Sequence, residues 1–267
     1  MTDDAFVLDS VTVAYGERRA VDAVSLRIPR GSITAIVGPN GCGKSTLLRA
    51  LAGLTRSAPG AITLNGEDIA AMPPRRYARE VAMLPQGPLA PEGLTVRELV
   101  VRGRDPYRRL FGAWSSEDER AVQETLAATD LLASAQHPLD ALSGGQRQRA
   151  WIAMTLAQRT GVLLLDEPTT YLDVAHQLEV LGLVERLHRE LGITVVMVLH
   201  ELSLAAKYAD HLVAMRAGRV VATGAPDEVL TASVLADVFG IEAEIIRDGR
   251  TGRPIVIPTG LSGAASP

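Results

Sequence analysis

The sequence predicts an α/β fold, and three observations carry that prediction. Aromatic residues make up only 4% of the chain while 47% is hydrophobic, so the core has to be built from Ala, Val, Leu and Ile. These residues gather into short valine- and leucine-rich runs, above all 32–37, 162–165 and 193–199, apolar along their length as strands covered on both faces of a parallel sheet must be. The later runs alternate with segments of helical periodicity, the βαβ order of a parallel sheet with crossover helices.

Taken in order, residues 6–14 and 23–28 alternate in polarity as half-buried strands do, and 32–37 is a strand that runs straight into a glycine-rich turn. Residues 44–52 follow as a helix. Segments 61–64 and 81–84 read as further strands, while 95–102, 116–132 and 145–158 have helical spacing, so the middle third is mainly helical. The strand pattern returns at 162–165, followed by a helix at 174–191, a strand at 193–199 and a helix at 202–208. A strand pair at 211–215 and 219–222 turns at Ala217-Gly218, and Pro226 opens another helix where a missing N–H costs nothing. Residues 243–247 and 254–257 flank Asp248-Gly249 as a small terminal hairpin, and 261–267 reads as frayed.

The 267 residues, 22% of them charged, suit one globular unit divisible into two lobes. A net charge of -4 argues against a surface that neutralises many nucleic-acid phosphates. Cys42 is the single cysteine, which excludes an intrachain disulfide and suits a reducing compartment. The opening Met1-Thr2-Asp3-Asp4 is acidic with no apolar signal segment, and no run reaches the ~18 to 20 apolar residues that span a bilayer. The expectation is a cytoplasmic chain whose membrane role, if any, comes through a partner.

Three contiguous motifs carry chemistry. Gly38-Pro39-Asn40-Gly41-Cys42-Gly43-Lys44-Ser45-Thr46 follows a strand and opens a helix, the context a phosphate-binding loop requires. Its glycines let backbone N–H groups curl around phosphates, the helix N-terminus favours negative charge, Lys44 reaches the outer phosphates and Ser45 is placed to hold Mg²⁺. At the end of the apolar run 162–165 stand Asp166 and Glu167, where ligands bind in open parallel sheets. Asp166 suits a Mg²⁺ shell through water, and Glu167 suits a general base that activates water. Leu142-Ser143-Gly144-Gly145-Gln146 precedes a long helix, with Ser143 as N-cap and two glycines leaving early N–H groups uncovered for an anion. Alone, this third motif reads equally well as an ordinary loop-to-helix junction.

The order of these motifs resembles that of the ATP-binding cassette ATPases: the phosphate loop, then Gln86, the signature Leu142 to Gln146, Asp166-Glu167, Tyr171-Leu172-Asp173 and His200. The resemblance covers nearly the whole chain. It implies a P-loop NTPase (RecA-like) core, with an antiparallel β-subdomain and an inserted α-helical subdomain. The implied single domain has 1–86 and 161–240 as core, 87–160 as the helical part and 241–267 as a short extension. It implies ATP and Mg²⁺ as ligands, each ATP lying between one chain's phosphate loop and another chain's signature, so two copies make two sites. Residue by residue, Tyr15 stacks on adenine, Gln86 senses the γ-phosphate and Mg²⁺, Asp173 communicates across the dimer and His200 contacts the γ-phosphate. Lys44 and Glu167 keep the roles read from their chemistry.

Within that family, fewer than about 100 residues between Lys44 and Leu142, with no heptad tract, argue against chromosome and repair ATPases. One cassette rather than two argues against translation ATPases. The segments 94–107 and 167–173 resemble the iron-siderophore importer branch, whose relatives also carry haem and vitamin B12; an exporter subunit is the alternative. The implied partners are transmembrane permease subunits, a second ATPase subunit and, indirectly, a solute-binding protein, with no nucleic acid. The chain would then lie at the inner face of the cell membrane. The arginine-rich stretch 102–109, with Phe111 and Trp114, is expected to supply a permease-docking surface around Arg104, Tyr107 and Phe111. Gly252-x-Pro254 and the apolar strand after it resemble the same branch. Two departures stand out: Glu201 follows His200 where the family commonly has Asp, and Cys42 fills a variable loop position.

Overall fold

The computed structural model describes residues 4–55, 60–108 and 113–262. In chain order the elements are β1 (Asp4–Tyr15), β2 (Arg18–Pro29), β3 (Ile33–Val37), α1 (Lys44–Leu51), β4 (Ala61–Leu64), β5 (Glu67–Asp68), α2 (Pro74–Tyr77), β6 (Val81–Leu84), α3 (Val96–Arg102) and α4 (Ser116–Ala128). They continue as α5 (Gly144–Ala157), β7 (Val162–Asp166), α6 (Val174–Leu191), β8 (Thr194–Val198), α7 (Leu202–Tyr208), β9 (His211–Arg216), β10 (Arg219–Gly224), α8 (Pro226–Val229), α9 (Ala232–Val234), β11 (Ile241–Arg247) and β12 (Pro254–Leu261). By compactness the chain divides into two units, Met1–Ala71 with Val195–Pro267, and Met72–Thr194.

The first unit holds two sheets and a terminal hairpin. β1 pairs antiparallel with β2 and with β4, whose other edge takes β5. The β1–β2 register breaks at bulges where Ser10 and Ala23 take left-handed backbone angles, φ 51 and 48, and such bulges raise the twist of a ribbon. β3 lies between β8 and β9, parallel to both, and β10 returns antiparallel beside β9. Every residue of β3 and of β8 is buried, as the uninterrupted apolar runs require. Phe6, Ile28, Ile36, Leu47, Leu48, Leu51 and Leu64 form the largest fully buried side chains here.

The terminal hairpin is longer than its sequence signal: β11 begins at Ile241, and Leu261, expected to fray, pairs with Ile241. Arg253, the middle residue of Gly252-Arg253-Pro254, donates to the carbonyls of Ala206 (3.4 Å) and Ala209 (2.6 Å) at the end of α7. A guanidinium there satisfies orphan carbonyls and the negative end of the helix dipole. The N–H of Val256 donates to Ser203 Oγ at 3.2 Å, seating β12 beside α7.

The second unit has two parallel strands, β6 and β7, and most of the helices. Three of its helices, α3, α4 and α5, start on capping boxes at Thr95, Ser115 and Ser143, each satisfying two groups at a helix end. The helix expected over 116–132 stops at Ala128, because Thr129 leaves helical geometry and Asp130 turns left-handed at φ 58. Leu84, Leu99, Leu126, Leu131 and Ile152 anchor its core.

Candidate active site

The first unit carries Tyr15, the loop 38–46 and His200. The loop is closed by steric necessity. A Cβ on Gly38 would stand 2.2 Å from the carbonyl oxygen of Met215, and one on Gly43 would stand 2.1 Å from that of Ala20. Both glycines also have positive φ, 152 and 108, so only glycine fits. Lys44 is 5% exposed, and its Nζ donates to the carbonyls of Gly38 (2.8 Å) and Pro39 (3.0 Å), which stretches the side chain back over the loop. The Gly218 N–H donates to the Cys42 carbonyl at 2.9 Å and Arg18 Nη2 donates to the Gly41 carbonyl at 3.1 Å. The Gly41 and Cys42 carbonyls are thus held by neighbouring segments. Arg18 was not signalled by any motif, because its position three residues after Tyr15 meets Gly41 only through the β1–β2 turn.

Cys42 is buried, and burial pushes its thiol up despite the opposing charge of Lys44. It therefore stays a thiol and serves as a filler under the loop. Asn40 is exposed, and Ser45 and Thr46 are half-buried at the start of α1. Tyr15 leaves 53% of its surface open at the end of β1, a flat apolar face of the kind an adenine ring covers. His200 is exposed just past β8. Glu201 occupies the N-cap of α7 without a side-chain cap hydrogen bond, consistent with Glu being one methylene too long for the role Asp plays at N-caps.

The second unit carries Gln86, Ser143 to Gln146, Asp166, Glu167 and Asp173. Asp166 ends the fully buried β7 at 1% exposure. Glu167 has φ 52, a left-handed angle that is uncommon for this residue type and costs free energy unless its surroundings hold it. They do: Gln86 Nε2 donates to Glu167 Oε2 at 2.6 Å and Thr170 Oγ1 donates to the same oxygen at 3.0 Å. Thr170 has no site role of its own in the sequence motifs, and its place three residues after Glu167 is the signal of this contact.

At the signature turn, Ser143 Oγ accepts from the Gln146 N–H at 3.3 Å while Gln146 Oε1 accepts from the Ser143 N–H at 3.1 Å. Ser143 and Gly144 are exposed, Gly145 is buried and Gln146 is half-buried. Asp173 caps α6, accepting from the His176 N–H at 2.9 Å. Tyr171, two residues earlier, is 97% exposed at φ 64.

The expected docking stretch is corrected in part. Arg104 is not a surface residue: it is 2% exposed, with Nε on Asp118 Oδ1 at 2.9 Å, Nη1 on the Ala157 carbonyl at 2.9 Å and its guanidinium 4.0 Å from the Tyr107 ring centre. A cation so enclosed holds the helical unit together. Trp114 is half-buried with its indole N–H on Glu119 Oε2 at 2.8 Å. Arg109 and Phe111 lie outside the described residues.

A phosphate-binding loop between a buried parallel strand and a helix, with a carboxylate pair ending a second strand, defines a nucleoside-triphosphate hydrolase of the P-loop class. The ABC transporter family profile matches residues 21–170. The chain is 50% identical, over 96% of its length and 93% of that protein, to the probable siderophore transport system ATP-binding protein YusV of Bacillus subtilis. It is 47% identical, over 94% of its length and 93% of that protein, to the ferric enterobactin transport ATP-binding protein FepC of Escherichia coli. Among solved structures, an inward-facing putative metal-chelate type ABC transporter superposes with TM-score 0.84 at 26% identity, covering 97% of this chain and 98% of that one. The chain belongs to the ABC transporter family, as one of its ATP-binding, ATP-hydrolysing subunits.

Proposed function

We propose that this ATPase energises a membrane permease that imports iron–siderophore complexes. The observation that carries the reading is its near full-length similarity, at about half of all positions, to subunits named for siderophore transport. Among the described residues no helix is long and apolar enough to cross a membrane, which fits a chain that works through separate permease subunits at the inner membrane face. A second copy of this chain and, indirectly, a solute-binding protein complete the assembly. The lobe limits 87–160 and 241–267 belong to this proposal as the permease-facing part and the terminal extension.

The site chemistry follows from the side chains. The loop amides of residues 38–46 and Lys44 bind the phosphates, and Tyr15 packs on the adenine ring. Ser45, Gln86 and Asp166 supply hard oxygen donors that suit Mg²⁺. Among the described residues no group of three or more His, Cys, Asp and Glu could hold a metal by itself; substrate phosphates and water would complete a shell begun by these side chains. Mg²⁺, when bound, offsets charge on the transferring phosphoryl group. Glu167, fixed by Gln86 and Thr170, orients and deprotonates the attacking water, and His200 holds the γ-phosphate side. Ser143, Gly144, Gly145 and Gln146 close on the ATP of the second copy, and Asp173 faces that copy.

The test is uptake of a ferric siderophore by cells carrying Lys44→Ala, together with identification of the permease and solute-binding protein that co-purify. Uptake should be lost. Unchanged uptake with an otherwise inactive ATPase would remove the siderophore assignment and leave the ATPase intact.

A further inference from the structure

Gly145 poses a physical question. It sits in the first turn of α5 without a positive φ, so no backbone angle demands glycine, and a glycine inside a helix is less stable there than alanine. The space around it supplies the reason. A Cβ on Gly145 would stand 2.3 Å from Cδ2, 3.0 Å from Cγ and 3.3 Å from Cβ of His176. At Gly144 the same atom would meet only Leu172 Cδ2, at an ordinary 3.4 Å.

Swinging the imidazole away would cost it the contact on its other edge. His176 Nδ1 lies 2.8 Å from Asp173 Oδ1, the oxygen that also accepts the His176 backbone N–H. These two bonds, the backbone one first, hold the Asp173 carboxyl below its usual range. An ionised carboxylate only accepts, so the ring proton is on Nδ1. One rigid ring thus spans from the carboxylate of the 171–173 loop to the backbone of the signature turn.

We propose that His176 is a positioning residue that ties Asp173 to the first turn of α5, and that glycine stands at position 145 to seat its ring. A displacement of Asp173 then moves the signature turn with it. The catalytic consequence rests on the proposed role of that turn in closing on ATP; the steric relationship does not.

Gly145→Ala, His176→Ala and the double variant separate the two. Each is measured for melting temperature and for steady-state ATPase with kcat and KM resolved, in the chain assembled with its permease. Gly145→Ala should lower the melting temperature and reduce kcat about tenfold or more, and His176→Ala should reduce kcat about threefold with KM for ATP unchanged, since the phosphate loop is untouched. The double variant should recover to the level of His176→Ala, because only the 3.3 Å contact remains and a small shift relieves it. A double variant as impaired as Gly145→Ala in both readouts, or unfolded, overturns the proposal, as does Gly145→Ala with wild-type stability. His176→Ala with wild-type kcat overturns the link to Asp173. If the unmodified assembly hydrolyses no ATP, the functional reading fails, while the melting-temperature cycle still decides the ring contact.

Discussion

Gln86 and Glu167, 81 residues apart in the chain, meet in a 2.6 Å hydrogen bond from the amide nitrogen to Oε2 of the carboxylate. The bond pins a residue whose backbone is already held in the left-handed region, so the carboxylate is oriented before substrate arrives and no reorganisation is needed at the moment of reaction. Glu167→Gln keeps an oxygen that accepts from both Gln86 and Thr170 but removes the proposed base. Turnover should fall by about 10² to 10⁴ with ATP affinity retained. Single-turnover hydrolysis alongside equilibrium nucleotide binding checks this; near-normal hydrolysis would take Glu167 out of the role.

Arg104 and Asp118 form an enclosed ion pair, with side chains 3% and 10% exposed. Arg104→Ala strands the carboxylate and the Ala157 carbonyl, and should cost about 3 to 5 kcal/mol, the range for breaking one half of a buried pair. Arg104→Met combined with Asp118→Asn should cost less, since no unpaired charge remains and an amide oxygen at 118 still accepts from Ser115. Denaturant unfolding measures both. A loss no larger than that of an exposed arginine would return this residue to the surface role its sequence context suggested.

Glu119 gives a pH signature. Hydrogen bonds from Arg97, then Trp114 and Gln123, lower its carboxyl from 4.5 to about 2. Asp118 moves the same way: burial opposes the shift, but the bonds from Ser115 and Arg104 prevail. A folded pKa below the unfolded one means a contribution fully present above about pH 4.5 and lost as pH falls toward 2. Melting curves of the wild type and Glu119→Gln should therefore differ at neutral pH and converge across that window. A gap that stays constant down to pH 2 would exclude Glu119 as its source.

Much of this was legible without coordinates. The phosphate loop, the signature turn and Asp166-Glu167 are contiguous, and their chemistry depends on local backbone geometry that glycines, caps and a buried strand impose directly. The element boundaries at 61–64, 81–84, 174–191 and 202–208 agree with the structure, because apolar periodicity reports burial. Where the pattern misleads, single positions override it: Thr129 and Asp130 end α4 early by leaving helical geometry, and Arg104 looks like surface because charge is normally solvated.

The sequence by itself determined the fold class, the nucleotide-binding chemistry and the family, since these follow from short motifs in a characteristic order. Only the tertiary structure decided which side chains hold those motifs in place. Arg18 on Gly41, Gln86 and Thr170 on Glu167, His176 between Asp173 and Gly145, and Arg253 on the end of α7 are such cases. Most of these pairs are brought together by packing of distant segments, and even the near ones depend on a turn or a strained angle. Spacing encodes local geometry, whereas such contacts exist only once the chain has closed on itself.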